Sequence, residues 1–179
     1  MTVNYLTDRD LAARVVADIE AAGGRAIVRR ADVANPEAVK ALFDANEQTF
    51  GGVDVVVNNA GIMNVGPFAQ MTDAAFNRMM ATNVKGSFNV LREAARRTRD
   101  GGRIISLGSS IIKTPPPATG AYAATKAPRC SFPASLQRNW PVATSRSTRW
   151  HLAPSIRSSS GNMAKRRFAE FPNRLRSVA

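Results

Sequence analysis

A single cysteine, Cys130, leaves no partner for an internal disulfide, so the chain needs no oxidising compartment. The one histidine, His151, likewise has no partner in the sequence with which to share a metal, and no metal site is expected. No apolar run approaches the length of a membrane span, which excludes a membrane protein of the helical kind. Where a signal peptide would need an apolar core, the N-terminal stretch carries Asp8, Arg9, Asp10 and Arg14. These absences point to a soluble cytoplasmic protein. Its 179 residues suit one domain and are enough to bury a core.

Acidic residues are scarce, but only at one end. Residues 1–126 hold 15 Lys+Arg against 12 Asp+Glu, whereas residues 127–179 hold 10 Lys+Arg against Glu170 alone. The net charge of +12 therefore belongs mainly to the tail. Scattered arginine without an organised aromatic platform is a poor nucleic-acid surface, so no nucleic-acid partner is expected. The tail also holds nine of the thirteen serines, half of the prolines and both tryptophans. Pro128, Pro133, Pro141, Pro154 and Pro172 interrupt every candidate element, and Ser158–Gly161 is a loop signal. The reading is a domain over 1–126 and an irregular basic tail over 127–179, with no internal repeat.

Residues 1–126 alternate strand and helix signals. Thr2–Tyr5 suits a short strand. Thr7 is a plausible helix N-cap with Asp10 in the capping-box position, and Leu11, Val15 and Ile19 then share one helix face. Gly23-Gly24 ends that helix. Arg25–Val33 reads as a short buried strand. Asn35-Pro36 caps the next helix, and Gly51-Gly52 closes it. Val53–Val57 is a β-branched run typical of a parallel strand covered on both faces. Thr72-Asp73 opens a long helix that should end near Asp100–Gly102, before a strand at Arg103–Leu107. Such alternation implies an α/β fold with right-handed crossovers, a parallel sheet, and function at the carboxyl ends of the strands.

Tyr122 and Lys126, four residues apart, share a face if helical. A tyrosine with a pKa of about 10 is a poor acid or base near neutrality, and a nearby ammonium moves it toward the working range. A serine hydroxyl beside the phenol could hold a substrate carbonyl or alcohol, and an asparagine could anchor a water linking lysine to solvent. Together these form a proton relay suited to carbonyl–alcohol interconversion, with the hydride supplied by a cofactor. Each motif alone reads more simply: Y-x-x-x-K as a solvated helix face, Asn58–Gly61 as a turn, Asn83 as a helix-surface polar residue, Ser109-Ser110 as a strand end. Their order along the chain carries the functional reading.

Asn58-Asn59-Ala60-Gly61 after a strand, Asn83 in TNVKGSF, the GRIISLGSS strand end and YAATK together resemble the short-chain dehydrogenase/reductase family over residues 3–126. The resemblance implies a partial Rossmann-like doubly wound parallel sheet. Tyr122 would be the general acid/base. Lys126 would lower its pKa and bind the nicotinamide ribose, and Asn83 would hold the relay water. Ser110, twelve residues before the tyrosine, is preferred over Ser109, thirteen before, for positioning the substrate oxygen. Asp32-Val33 resembles the adenine-pocket pair, and Asn59, Ala60 and Gly61 the turn lining the cofactor site. No acidic residue stands at Asn4-Tyr5 to bind the adenosine ribose, which favours NADP over NAD. The substrate would be a small carbonyl or alcohol compound, and relatives of this kind are usually homo-oligomers.

Two elements of the family pattern are absent. One is an opening strand with a glycine-rich turn; without it, the centre of the sheet should show a gap with unpaired backbone groups. The other is the segment after Ala127, where Pro128 and Pro133 should interrupt the helix that bears Tyr122, since an interior proline costs about 3 kcal/mol. Back-translating the tail and reading from the third base of each codon permits A-K-E-L-A-G-R-D-I-T-V-N-A-V-A-P-G-P-V-D-T from Leu136 to Arg157. That run resembles the absent strand and Pro-Gly loop. The tail is accordingly expected to be the product of a reading frame shifted at or just after codon 127, which the nucleotides there decide.

Overall fold

The computed structural model describes residues 1–135. The shifted-frame reading of Leu136–Arg157, and most of the proposed irregular tail, lie outside them. Four strands run β1 Thr2–Tyr5, β2 Ile27–Arg30, β3 Val53–Asn58 and β4 Thr98–Ser106. The helices are α1 Arg9–Ala21, α2 Pro36–Phe50, α3 Asp73–Met79, α4 Gly86–Arg97, α5 Gly120–Lys126 and α6 Pro128–Ser135.

Local chemistry sets the helix ends. Asp8, rather than Thr7, caps α1: its carboxylate accepts the Leu11 N–H at 2.9 Å, and a carboxylate at a helix N-terminus is also favoured by the dipole. The Asn35 side chain accepts from Glu37 and Ala38, Pro36 follows at the first helical position, and Gly51 closes α2 at φ 80°. Thr72 caps α3 through the Ala75 N–H. From α3 the chain passes through one π-helical stretch, Met80–Lys85, directly into α4.

The strands form two parallel pairs, β1 with β2 and β3 with β4. In the second pair Val55, Val56, Val57 and Asn58 lie opposite Arg103, Ile104, Ile105 and Ser106. The register slips between Val53 and Val55, because β4 starts at Thr98 and makes an irregular turn through Gly101 at φ 79°. The long helix consequently ends at Arg97, before the expected Asp100–Gly102 break. Val39 and Phe43 of α2 pack with Val90, Leu91 and Ala94 of α4 on Val53, Val56 and Ile104. Arg97 ties α4 to α2, pairing with Asp44 at 2.6 Å and Glu47 at 3.1 Å and with Glu93 of its own helix at 3.0 Å.

The expected gap is present among the described residues. β1 and β3 do not pair, and a cavity of about 380 Å³ opens between them, lined by Val3, Val15, Val55, Val57 and Asn59 among others. Two expectations change as a result. Val55 and Val57 are each 56% exposed, so β3 is covered on one face only. The Leu11–Val15 face of α1 has the expected helical period but is exposed, and β2 is half-buried to exposed instead of buried.

The helix that bears Tyr122 ends at Lys126, as the proline predicts, and α6 begins at Pro128. Ala127 between them keeps right-handed helical angles (φ −56°, ψ −44°), and its N–H donates to the Ala123 carbonyl at 3.3 Å. Pro128 takes the first position of α6, and Pro133 lies within that helix. Among the described residues no helix is long and apolar enough to cross a membrane.

Candidate active site

The carboxyl ends of β3 and β4 meet at Asn58 and Ser106. Asn58 is 2% exposed; its amide donates to the Ser106 hydroxyl at 3.2 Å, and its carbonyl accepts the Leu107 N–H at 3.1 Å. The chain then turns through Asn59, Ala60 and Gly61. Gly61 lies in close approach to its neighbours. A Cβ there would lie 3.1 Å from both Asn83 Oδ1 and Lys126 Nζ, so the turn, the π-helical stretch and α5 converge on this point.

Asn83 is fully buried in the π-helical stretch, a distortion that often accompanies functional positions. Its Oδ1 accepts the Ile62 N–H at 2.8 Å, and its Nδ2 donates at 2.8 Å to the Ile62 carbonyl and to Thr125 Oγ1. Thr125, also fully buried, donates to the Tyr122 carbonyl at 2.8 Å. The Asn83 side chain thus braces the turn against α5. The Asn83 main-chain carbonyl accepts from Ser87 Oγ at 2.6 Å and from Arg129 Nε at 3.3 Å.

Tyr122 and Lys126 stand on α5 with the lysine Nζ 5.6 Å from the tyrosine ring centre. Ser109, half-buried, is the serine whose side chain acts on the Tyr122 phenol, whereas Ser110, the serine preferred from the sequence, is exposed at the start of the Ser110–Ile112 turn. Burial pushes the Tyr122 phenol above its ordinary value, and Ser109 and the charge on Arg129 only partly offset it. The expectation that Lys126 would bring the phenol down is not met. The lysine is itself buried and pushed down to about 8, first by burial and then by repulsion from Arg129.

The cofactor-side residues occupy the ends of β2 and β3. Asp32 accepts the Ala34 N–H at 2.9 Å, and the Val33 side chain belongs to the core, so only the Val33 backbone remains for a ligand. Asn89 of α4 fixes this loop by donating to the Val33 and Ala34 carbonyls at 3.0 and 3.3 Å. Arg30 donates to the Leu6 carbonyl at 3.0 Å, which puts a guanidinium at the carboxyl end of β1. Sequence reasoning missed Thr125 and Arg129. Thr125 could have been found within YAATK, where it directly precedes the lysine; Arg129 carries no sequence signal.

The nicotinamide half of a dinucleotide fits this arrangement. Gly61 leaves the turn without a side chain at the point where the lysine ammonium and Asn83 meet, and Tyr122 stands beside that lysine on α5. Among the described residues no glycine-rich turn feeds a helix N-terminus at β1.

Comparison with known proteins agrees with the geometry. The chain is 47% identical over 109 residues to a short-chain type dehydrogenase/reductase of Picea abies, covering 59% of this chain and 40% of that protein. A dehydrogenase/reductase from Sinorhizobium meliloti superposes with a TM-score of 0.73 at 37% identity, over 76% of this chain and 55% of that one. A short chain dehydrogenase from Burkholderia cenocepacia in complex with NADP gives 0.72 at 38% identity, over 75% and 56%. The chain thus spans roughly two fifths to just over half the length of these relatives. The family model for short chain dehydrogenases matches residues 2–144, most of the sequence, and the chain belongs to that oxidoreductase family.

Proposed function

We propose that this chain carries the acid–base half of an NADP(H)-dependent interconversion of a small carbonyl compound and its alcohol. The observation that supports this best is the meeting of Lys126 and Asn83 at the Gly61 turn, at the carboxyl ends of two parallel strands, with Tyr122 beside the lysine on the same helix. Bound NADP(H) supplies or accepts the hydride. Lys126 would hold its nicotinamide ribose and the Asn59–Gly61 turn would line its site. The Val33 backbone and Asp32 would face its adenine, and Arg30 would meet its adenosine phosphate. A cation there favours NADP over NAD. The NADP bound to the Burkholderia relative supports the same choice.

In the reduction direction the Tyr122 phenol, protonated at neutral pH, donates its proton to the developing alkoxide. The Ser109 hydroxyl orients the same oxygen, and the Lys126 ammonium stabilises the phenolate left behind. Asn83 and Thr125 keep α5 and the turn in register. A second reading, a chain of this family that no longer turns over substrate, is favoured by the open space between β1 and β3.

Thermal unfolding with and without millimolar NADPH separates the two, since a ligand that binds only the folded state must raise its stability. Stabilisation by NADPH, with aldehyde or ketone reduction that falls about 10²- to 10⁴-fold in Tyr122→Phe while stabilisation persists, is the expected result. No stabilisation and no turnover would leave the second reading.

A further inference from the structure

Arg129 is the largest fully buried side chain among the described residues, 1% exposed, and it lies against the turn of the candidate site. Its guanidinium bonds only to backbone carbonyls. Nε donates to Asn83; Nη1 donates to Asn58, Asn59 and Leu107 at 3.3–3.4 Å; and Nη2 donates to Ala60. These carbonyls belong to the end of β3, the turn after it, the segment after β4 and the π-helical stretch, so one side chain fastens all four. A Cβ at Gly61 would lie 3.5 Å from Nη2 and 3.1 Å from Lys126 Nζ, which puts two cations at the same turn.

We propose that Arg129 is a positioning residue of this site: it locks the Asn58–Ala60 turn to the end of β4 and supplies a second positive charge to the Tyr122–Lys126 pair. The inference rests on reading Tyr122 as the acid–base group. The charged and titratable groups facing that phenol are Lys126 from α5 and Arg129 from α6. The segment after β4 contributes Ser109, which is neutral. Among the described residues no carboxylate pairs with either cation. A buried cation held by carbonyl dipoles and unpaired with a carboxylate acts on its neighbours more strongly than a solvated one. That field opposes the protonated lysine and favours the phenolate, in line with the downward displacement of Lys126 and the downward contribution to Tyr122. Lys126 is then poised between charge states near neutrality, while Arg129 remains the permanent cation.

The chain has two tyrosines, so a Tyr5→Phe background leaves Tyr122 as the only phenol that titrates. Tyrosinate absorbance of the full chain, followed against pH without cofactor or substrate, reads its midpoint directly. Arg129→Gln, which keeps donor groups but no charge, is expected to move that midpoint upward, and Arg129→Lys is expected to leave it in place. An Arg129→Gln midpoint equal to that of the unsubstituted protein would overturn the charge role. If Arg129→Gln does not hold its fold, Arg129→Lys decides alone: a midpoint that stays supports the proposal, and one that rises although charge is retained refutes it. Turnover is measured separately. A shifted midpoint in a protein that reduces no carbonyl counts against the proposed function, and active protein with an unmoved midpoint counts against Arg129.

Discussion

Replacing Asn83 by alanine removes three hydrogen bonds of 2.8 Å from a fully buried side chain and leaves the Ile62 N–H, the Ile62 carbonyl and one side of the Thr125 hydroxyl without partners. Each polar group stranded out of water costs about 1–3 kcal/mol. Ile62 is only half-buried, so its two groups fall at the low end, and Thr125 keeps its bond to the Tyr122 carbonyl. The sum is about 2–4 kcal/mol, a large share of the ~5–15 kcal/mol that holds a domain together. With a urea dependence of about 1–3 kcal/mol per M, the midpoint should fall by about 1–2 M. Far-UV circular dichroism is the suitable probe, since both tryptophans lie beyond residue 135. Asn77→Ala, at an exposed position on α3, is the control and should change stability by less than ~0.5 kcal/mol. If Asn83→Ala unfolds at the same urea concentration as that control, the bracing role drawn from these distances is wrong.

Lys126 and Arg30 give two further tests. Burial holds Lys126 at about 8, below its ordinary value of 10.5, so between those pH values the unfolded state binds more protons than the folded one and stability rises with pH. Relative to Lys126→Met, the unsubstituted chain should therefore gain about 1–2 kcal/mol, allowing for solvent screening, as pH goes from about 8 toward 10. Beyond that the Tyr122 phenol, raised by burial, works in the opposite direction; a flat difference in urea midpoints across the window would contradict the burial of this ammonium. Arg30→Ala should weaken NADPH binding several-fold in a fluorescence titration and leave NADH binding nearly unchanged, because only NADPH carries a phosphate for the guanidinium at the end of β1. Equal losses for the two cofactors would remove Arg30 from the phosphate site.

What could be read from the sequence was what neighbouring residues decide among themselves. The Asn35-Pro36 cap and the Gly51 stop of α2 are settled within four residues of chain, and both stand where the pattern puts them. The α1 cap moved by one residue because Asp8 competes with Thr7 for the same N–H groups, a local contest that spacing alone does not resolve. The start of β4 depends on pairing with β3, more than forty residues away, so the helix end near Arg97 was misplaced. Tyr122, Lys126, Asn83 and Gly61 do come together, since their order fixes which strand end or helix each occupies. Ser109 and Ser110 are adjacent, and they differ because the backbone passes from extended at Ser109 into the Ser110–Ile112 turn. Arg129 is the extreme case. Composition assigns it to an irregular basic tail, where arginine ordinarily means a solvated charge. Its place is decided by five carbonyls from segments 22 to 71 residues away and by Ala127 keeping helical angles up to Pro128. The composition boundary at Ala127 therefore does not coincide with a boundary of the site: the first turn beyond it supplies the cation around which the strand ends close.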